Sequence, residues 1–146
     1  MFTHYIQYGG DPYDKYEYGG PTDLDHFMDL FDNFPWMEEI AKANAKPSGS
    51  SPTLSVKNTA ADNDLWVSMS GDSYSHGYLV GYIYPTTKKG LLGFGKAKKI
   101  RWLEIYLTRD MLAVRRYFKL YFADKYDLLL SELGKLQRFT ALEARN

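Results

Sequence analysis

Three stretches between Leu65 and Leu107 change side-chain character at every second position. A period of two marks strands whose two faces meet different surroundings, so this part of the chain is committed to sheet. In the first stretch Leu65, Val67 and Met69 share one face. In the second, Tyr78, Val80, Tyr82 and Tyr84 oppose Leu79, Gly81 and Ile83. In the third, Leu103, Ile105 and Leu107 oppose Ile100, Trp102, Glu104 and Tyr106. The Leu/Ile faces of the last two are expected to meet helices, which leaves the Tyr/Trp face half covered.

Helical spacing brackets this block. Thr22 or Asp23 suits an N-cap, and Leu24, Phe27, Met28 and Phe31 predict a helix over 23–32. Asn33-Phe34-Pro35 breaks it, and Pro35 opens a second helix carrying Trp36, Met37 and Ile40 to about Ala45. Beyond the sheet, Thr108 is the expected N-cap of a helix with Met111, Val114, Phe118, Tyr121 and Phe122 inward. Asp124 is expected to cap a last helix with Leu129, Leu130, Leu133 and Leu136 inward. Phe2–Tyr8 and Thr53–Lys57 read as further strands. The order predicts an α+β fold: an antiparallel meander of four to five strands, packed with an N-terminal and a C-terminal helix pair. The loop Lys-Pro-Ser-Gly-Ser-Ser-Pro at 46–52 is short for an interdomain linker, so residues 1–146 are expected to form one domain.

Composition removes several classes of function. There is no cysteine, which excludes disulfides, thiolate metal sites and cysteine nucleophiles. No apolar run approaches the roughly 20 residues of a membrane-spanning helix. The N-terminus, Met1-Phe2-Thr3-His4-Tyr5, has no secretory pattern, so a cytoplasmic protein is expected. Lys+Arg and Asp+Glu are both 18, a balance that disfavours a general nucleic-acid binder. That balance conceals two opposite segments. Residues 1–40 hold nine acids and one base, net −8, and residues 85–120 hold ten bases and two acids, net +8. Either the two segments neutralise each other across the fold, or one of them steers an oppositely charged partner.

Three motifs suggest chemistry, and each has a simpler explanation. Gly90-Leu91-Leu92-Gly93-Phe94-Gly95-Lys96-Ala97 follows the phosphate-cradling pattern, but Ala97 replaces the magnesium-holding hydroxyl and a strand follows where a helix is required. Gly71-Asp72-Ser73 is similar to the nucleophile block of Gly-Asp-Ser hydrolases, yet the single Asp-x-x-His, Asp23 to His26, precedes it. Turn chemistry explains it better. The groups Asp23/Asp25/His26/Asp29 and Asp62-Asn63-Asp64 are incomplete as metal sites and read as a helix start and a turn. No enzyme activity, cofactor or metal is expected.

Surface chemistry is the remaining lead. Tyr-Gly-Gly occurs at residues 8–10 and 18–20, too few copies for a repeat fold, and encloses an acidic, Tyr-rich loop. The expected partner face is Tyr13, Tyr16, Glu17, Tyr18, Asp23 and Asp25. A basic hairpin, Lys88, Lys89, Lys96, Lys98, Lys99 and Arg101, is an alternative surface for anionic ligands. The aromatic sheet face is a further alternative, for a small ligand, a peptide or a homodimer contact.

The strand Lys99-Ile100-Arg101-Trp102-Leu103-Glu104-Ile105-Tyr106-Leu107 runs directly into the helix Met111–Phe122 and a Leu-rich terminal helix. This layout resembles small bacterial immunity proteins of interbacterial toxin systems. The resemblance covers about a third of the chain and implies a non-catalytic protein that sterically blocks a toxin domain. The acids of residues 1–40 would suit a basic toxin such as a nuclease.

Overall fold

The computed structural model describes residues 1–88 and 97–144. Over these residues the chain runs β1 (Phe2–Gln7), β2 (Glu17–Pro21), α1 (Leu24–Asn33), α2 (Trp36–Ala45), β3 (Thr53–Asn58), β4 (Asn63–Gly71), β5 (His76–Lys88), β6 (Lys98–Thr108), α3 (Met111–Phe122), α4 (Tyr126–Leu133) and β7 (Gln137–Glu143). All pairings are antiparallel, in the order β2-β1-β3-β4-β5-β6-β7.

The class is α+β, but the expected sheet of four to five strands is corrected to seven. The meander covers β3 to β6 only. β2 and β7 form the edges, and neither has a strand-like sequence. β2 is Glu-Tyr-Gly-Gly-Pro, turn chemistry that becomes extended because its backbone pairs with β1 from Thr3↔Pro21 to Ile6↔Glu17. Gly19 is required there by contact: a Cβ would lie 2.0 Å from His4 Nε2. β7 holds Ala, Leu and Glu, which favour helix, yet it pairs with β6. Backbone pairing with a neighbouring strand outweighs such weak propensities.

The caps follow local chemistry with two corrections. Of the two candidates, Thr22 and Asp23, it is Asp23 that caps α1, accepting from the His26 N–H. Asp110 rather than Thr108 caps α3, accepting from Leu112 N at 2.9 Å. Asp124 has φ +58° and sits before the α4 N-cap, Lys125, where its carboxylate accepts the Tyr126 hydroxyl at 2.7 Å.

The four helices cover one face of the sheet. The register Ile6↔Leu54↔Val67↔Val80↔Tyr106 crosses five strands on that face. Above it Phe27 of α1 packs on Phe118 of α3 at 4.6 Å, and Phe31 and Trp36 pack on Tyr78. Each fully buried aromatic or aliphatic side chain contributes roughly 1.5–3 kcal/mol relative to exposure. The expectation for β5 and β6 is therefore inverted: Tyr78, Val80, Tyr82 and Tyr106 lie under the helices, and Leu79, Ile83, Leu103, Ile105 and Leu107 lie on the other face. Tyrosines can be interior because their hydroxyls find partners. Tyr121 donates to the carbonyls of Asn63 (2.9 Å) and Val56 (3.2 Å), and Tyr82 accepts from Asn63 Nδ2 at 3.1 Å. Burial pushes both phenols far above their ordinary pKa, so they remain neutral.

Candidate binding face

Among the described residues no helix lies upon the second face of the sheet. Its side chains follow the rows Tyr5↔Ser55↔Trp66↔Gly81↔Ile105 and Lys57↔Asp64↔Ile83↔Leu103. Leu79, Ile83, Leu103, Ile105 and Leu107 are half-buried, and Leu142, opposite Leu103, extends the aliphatic area onto β7.

Towards β1 the same face becomes polar and aromatic. A cleft of about 560 Å³ lies over β1, β3 and β4 and is bounded by Leu79 and Ile83 of β5. Trp66 lies across the Cα of Gly81, since a Cβ at that position would be 1.9 Å from indole Cε2. Absence of a side chain at Gly81 is thus what lets the indole lie down on the sheet. Tyr13 and Tyr16, 65% and 60% exposed, reach the cleft from the β1–β2 loop. Gln7 Nε2 donates to the Tyr13 carbonyl at 2.9 Å and ties this loop to β1. At the far end Asp64 pairs with Arg101 Nη2 at 2.7 Å. Burial raises the Asp64 pKa, and the attraction of Arg101 and Lys57 opposes this without cancelling it.

The expected partner residues are divided by the fold. Tyr13 and Tyr16 line the cleft, and the Tyr18 ring meets Tyr5 edge-on at 5.3 Å on the same face. Glu17 pairs with Ile6 in register, on the side turned to Tyr8. Asp23 is spent on the α1 cap, and Asp25 lies in a groove between α1 and α3, in the helix layer. That groove also holds Asp32, which pairs with Arg115, and the basic Arg116 and Lys119. Part of the acidic segment thus meets part of the basic segment within the fold.

The basic hairpin is divided as well. Lys88 and Lys98 are opposite one another, Lys99 is opposite Thr87, and all three lysines are exposed. Arg101 belongs to the sheet face through Asp64 and Asp62. Lys89 and Lys96, with the glycine-rich stretch 90–96, lie outside the described residues. Gly71-Asp72-Ser73 forms the β4–β5 turn. Asp72 accepts from the Tyr74 and Ser75 backbone N–H groups at 2.8 and 2.9 Å, which holds its carboxyl below the usual range.

One further polar cluster lies on the helix-side face, towards the hairpin end. Glu104 accepts from Tyr106 Oη at 2.7 Å, Tyr84 Oη at 3.2 Å and Trp102 Nε1 at 3.3 Å. Burial, reinforced by Glu104, pushes the Tyr84 phenol up to about 12. A carboxylate already accepting from aromatic donors is a structural anchor rather than a free base. Among the described residues no group of three or more His, Cys, Asp or Glu side chains converges to hold a metal ion. Among them, too, no helix is long and apolar enough to cross a membrane.

Trp66, Tyr5 and the aliphatic row are the site residues that sequence reasoning missed. Their signal was the unbroken Leu/Ile periodicity of β5 and β6 with a glycine, Gly81, inside it. Glycine in a strand interior marks close approach by another group. No protein-family model matches this chain, and neither a curated protein nor a solved structure matches it.

Proposed function

We propose that the protein is a non-catalytic protein-binding module that docks its partner on the open face of the sheet, and that the partner is a toxin domain blocked sterically. The observation that carries this reading is the half-buried row Leu79, Ile83, Leu103, Ile105 and Leu107, over which no helix lies among the described residues. Contiguous apolar area of this kind marks binding surfaces. Side chains on a sheet are already ordered, so covering them costs little conformational entropy. Tyr13, Tyr16 and Tyr18 at the β1–β2 edge add exposed aromatics, a residue type rich in binding energy at interfaces. The layout resemblance to immunity proteins supports a toxin as the partner.

Co-expression with a toxic frame encoded beside this gene is the test. The native chain is expected to restore growth, Ile105→Glu to abolish the rescue while the thermal transition persists, and Tyr74→Ala, 98% exposed on the β4–β5 turn, to leave it intact. Absence of a toxic neighbour defeats the toxin reading. Rescue that survives Ile105→Glu defeats docking on the open face.

A further inference from the structure

The β1–β4 end of the open face differs in chemistry from the aliphatic end. We propose that the cleft over Trp66 binds a neutral carbohydrate, stacked on the indole and held by the hydroxyl and amide groups around it. Its volume, about 560 Å³, falls within the range of small-molecule sites, roughly 300–1,000 Å³.

The floor is a flat aromatic surface. Trp66 is pressed against Gly81 and stays half-buried, so the sheet supports the ring while part of it faces the cleft. Among the described residues its Nε1–H has no hydrogen-bond partner. The other tryptophans spend theirs: Trp36 Nε1 donates to the Phe31 carbonyl at 3.0 Å, and Trp102 Nε1 to Glu104. Half-buried indoles usually find such a partner, so Trp66 offers an unspent donor beside its ring.

The walls combine hydroxyl and amide groups with the aliphatic Leu79 and Ile83. Gln7, Ser51, Thr53, Ser55 and Ser68 line the cleft. Gln7 uses its Nε2 on the Tyr13 carbonyl, and Ser68 and Thr53 donate to the carbonyls of Pro52 and Ser51, both at 3.0 Å. Each keeps side-chain oxygen lone pairs able to accept. The charged lining groups, Lys57 and Asp64, are opposite in sign and face each other in register. With Asp64 engaged by Arg101, Lys57 is the one cation lining the cleft among the described residues, too few for a phosphate site. A sugar ring matches this arrangement, since its apolar C–H face stacks on indole and its equatorial hydroxyls exchange hydrogen bonds at the rim. Tyr13 and Tyr16, exposed at the rim, supply a wall against the sugar edge.

The cleft shares Tyr13, Tyr16, Leu79 and Ile83 with the surface of the protein-binding reading, while its floor, Trp66, is a group that reading does not use. The test is titration of the full chain with cellohexaose, maltohexaose and chitohexaose, followed by calorimetry and by the NMR signals of the indole N–H groups. Saturable binding to at least one, with the Trp66 signal moving, is expected. Trp66→Ala is expected to weaken it about tenfold or more. Trp66→Phe, which keeps a ring on Gly81, is expected to weaken it less, and Tyr74→Ala, on the exposed β4–β5 turn, to leave it unchanged. The proposal is overturned by absence of saturation with all three sugars at millimolar concentration. Binding indifferent to Trp66→Ala, or preference for adenosine or tetraproline over every sugar, overturns it equally.

Discussion

The two faces of the sheet come from the same alternating strands, yet one is sealed and the other is open. Beneath the helices Leu54, Val56, Leu65, Val67 and Val80 are fully buried, and tyrosines fill the space between them. On the open face Leu79, Ile83, Leu103, Ile105 and Leu107 are half-buried. Hydrophobicity alone would place Leu and Ile inside and Tyr outside. The difference teaches that a face becomes interior when its polar atoms can be satisfied there. Tyr82, Tyr106 and Tyr121 each have a partner for the hydroxyl under or beside the helices. A large ring with a satisfied hydroxyl then buries more area than an aliphatic side chain.

The sharpest test of this contrast removes one side chain from each face. Phe27→Ala, at the α1–α3 contact, is expected to cost about 3–5 kcal/mol in denaturant unfolding. Ile105→Ala on the open face is expected to cost about 1 kcal/mol, because the half-buried site loses less apolar burial. Equal losses would show that the open face is packed as a core.

Tyr121→Phe removes a hydroxyl while keeping the ring. It leaves the Val56 and Asn63 carbonyls without that donor, at an expected cost of about 1–3 kcal/mol by the same measurement. A neutral result would mean that the interior tyrosines are held by area alone.

Gly81→Ala probes the open face from below. The new methyl cannot coexist with the indole, so Trp66 must lift from the sheet, at about 1–3 kcal/mol. Its fluorescence is expected to move to longer wavelength. An unmoved spectrum would sink the idea that Gly81 seats the ring.

The smallest effect is a pH dependence confined to the covered side. His4 is buried beside Gly19, donates from Nδ1 to the Gly20 carbonyl at 3.1 Å, and lies 5.3 Å from the His26 ring. Burial lowers its pKa below 6.5, the Gly20 carbonyl opposes this, and His26 adds to the lowering. The unfolded chain therefore takes up this proton first. Stability is complete above pH 6.5, falls as pH drops from there towards the lowered value, and then levels off. His4→Gln is expected to flatten that part of the stability curve, and an unchanged slope would assign the acid sensitivity elsewhere.

Much of the chain was legible. Phe27 and Phe31 at helical spacing located α1, its cap was narrowed to Thr22 or Asp23, and Leu65/Val67/Met69 were placed together on one strand face. The edges were not legible, because Glu-Tyr-Gly-Gly-Pro and Gln-Arg-Phe-Thr-Ala-Leu-Glu have little strand character alone. Tyr13, Tyr16 and Tyr18 were legible as exposed aromatics. Their assembly with Tyr5 and Trp66 was not, since it depends on pairings across 11 to 50 positions of chain: Tyr5↔Tyr18 and Tyr5↔Ser55↔Trp66. The −8 and +8 segments were countable, yet counting could not tell Asp25, in the helix layer, from Tyr16, on the sheet.

By itself the sequence determined the α+β class, the helices and the alternation of the central strands, because periodicity and capping act over a few neighbouring residues. Tertiary structure alone decided that the sheet has seven strands, which face the helices cover, and that Trp66 lies on Gly81. Alternation says that two faces differ without saying which is covered. That choice depends on where helices from both ends of the chain find apolar area and hydrogen-bond partners together.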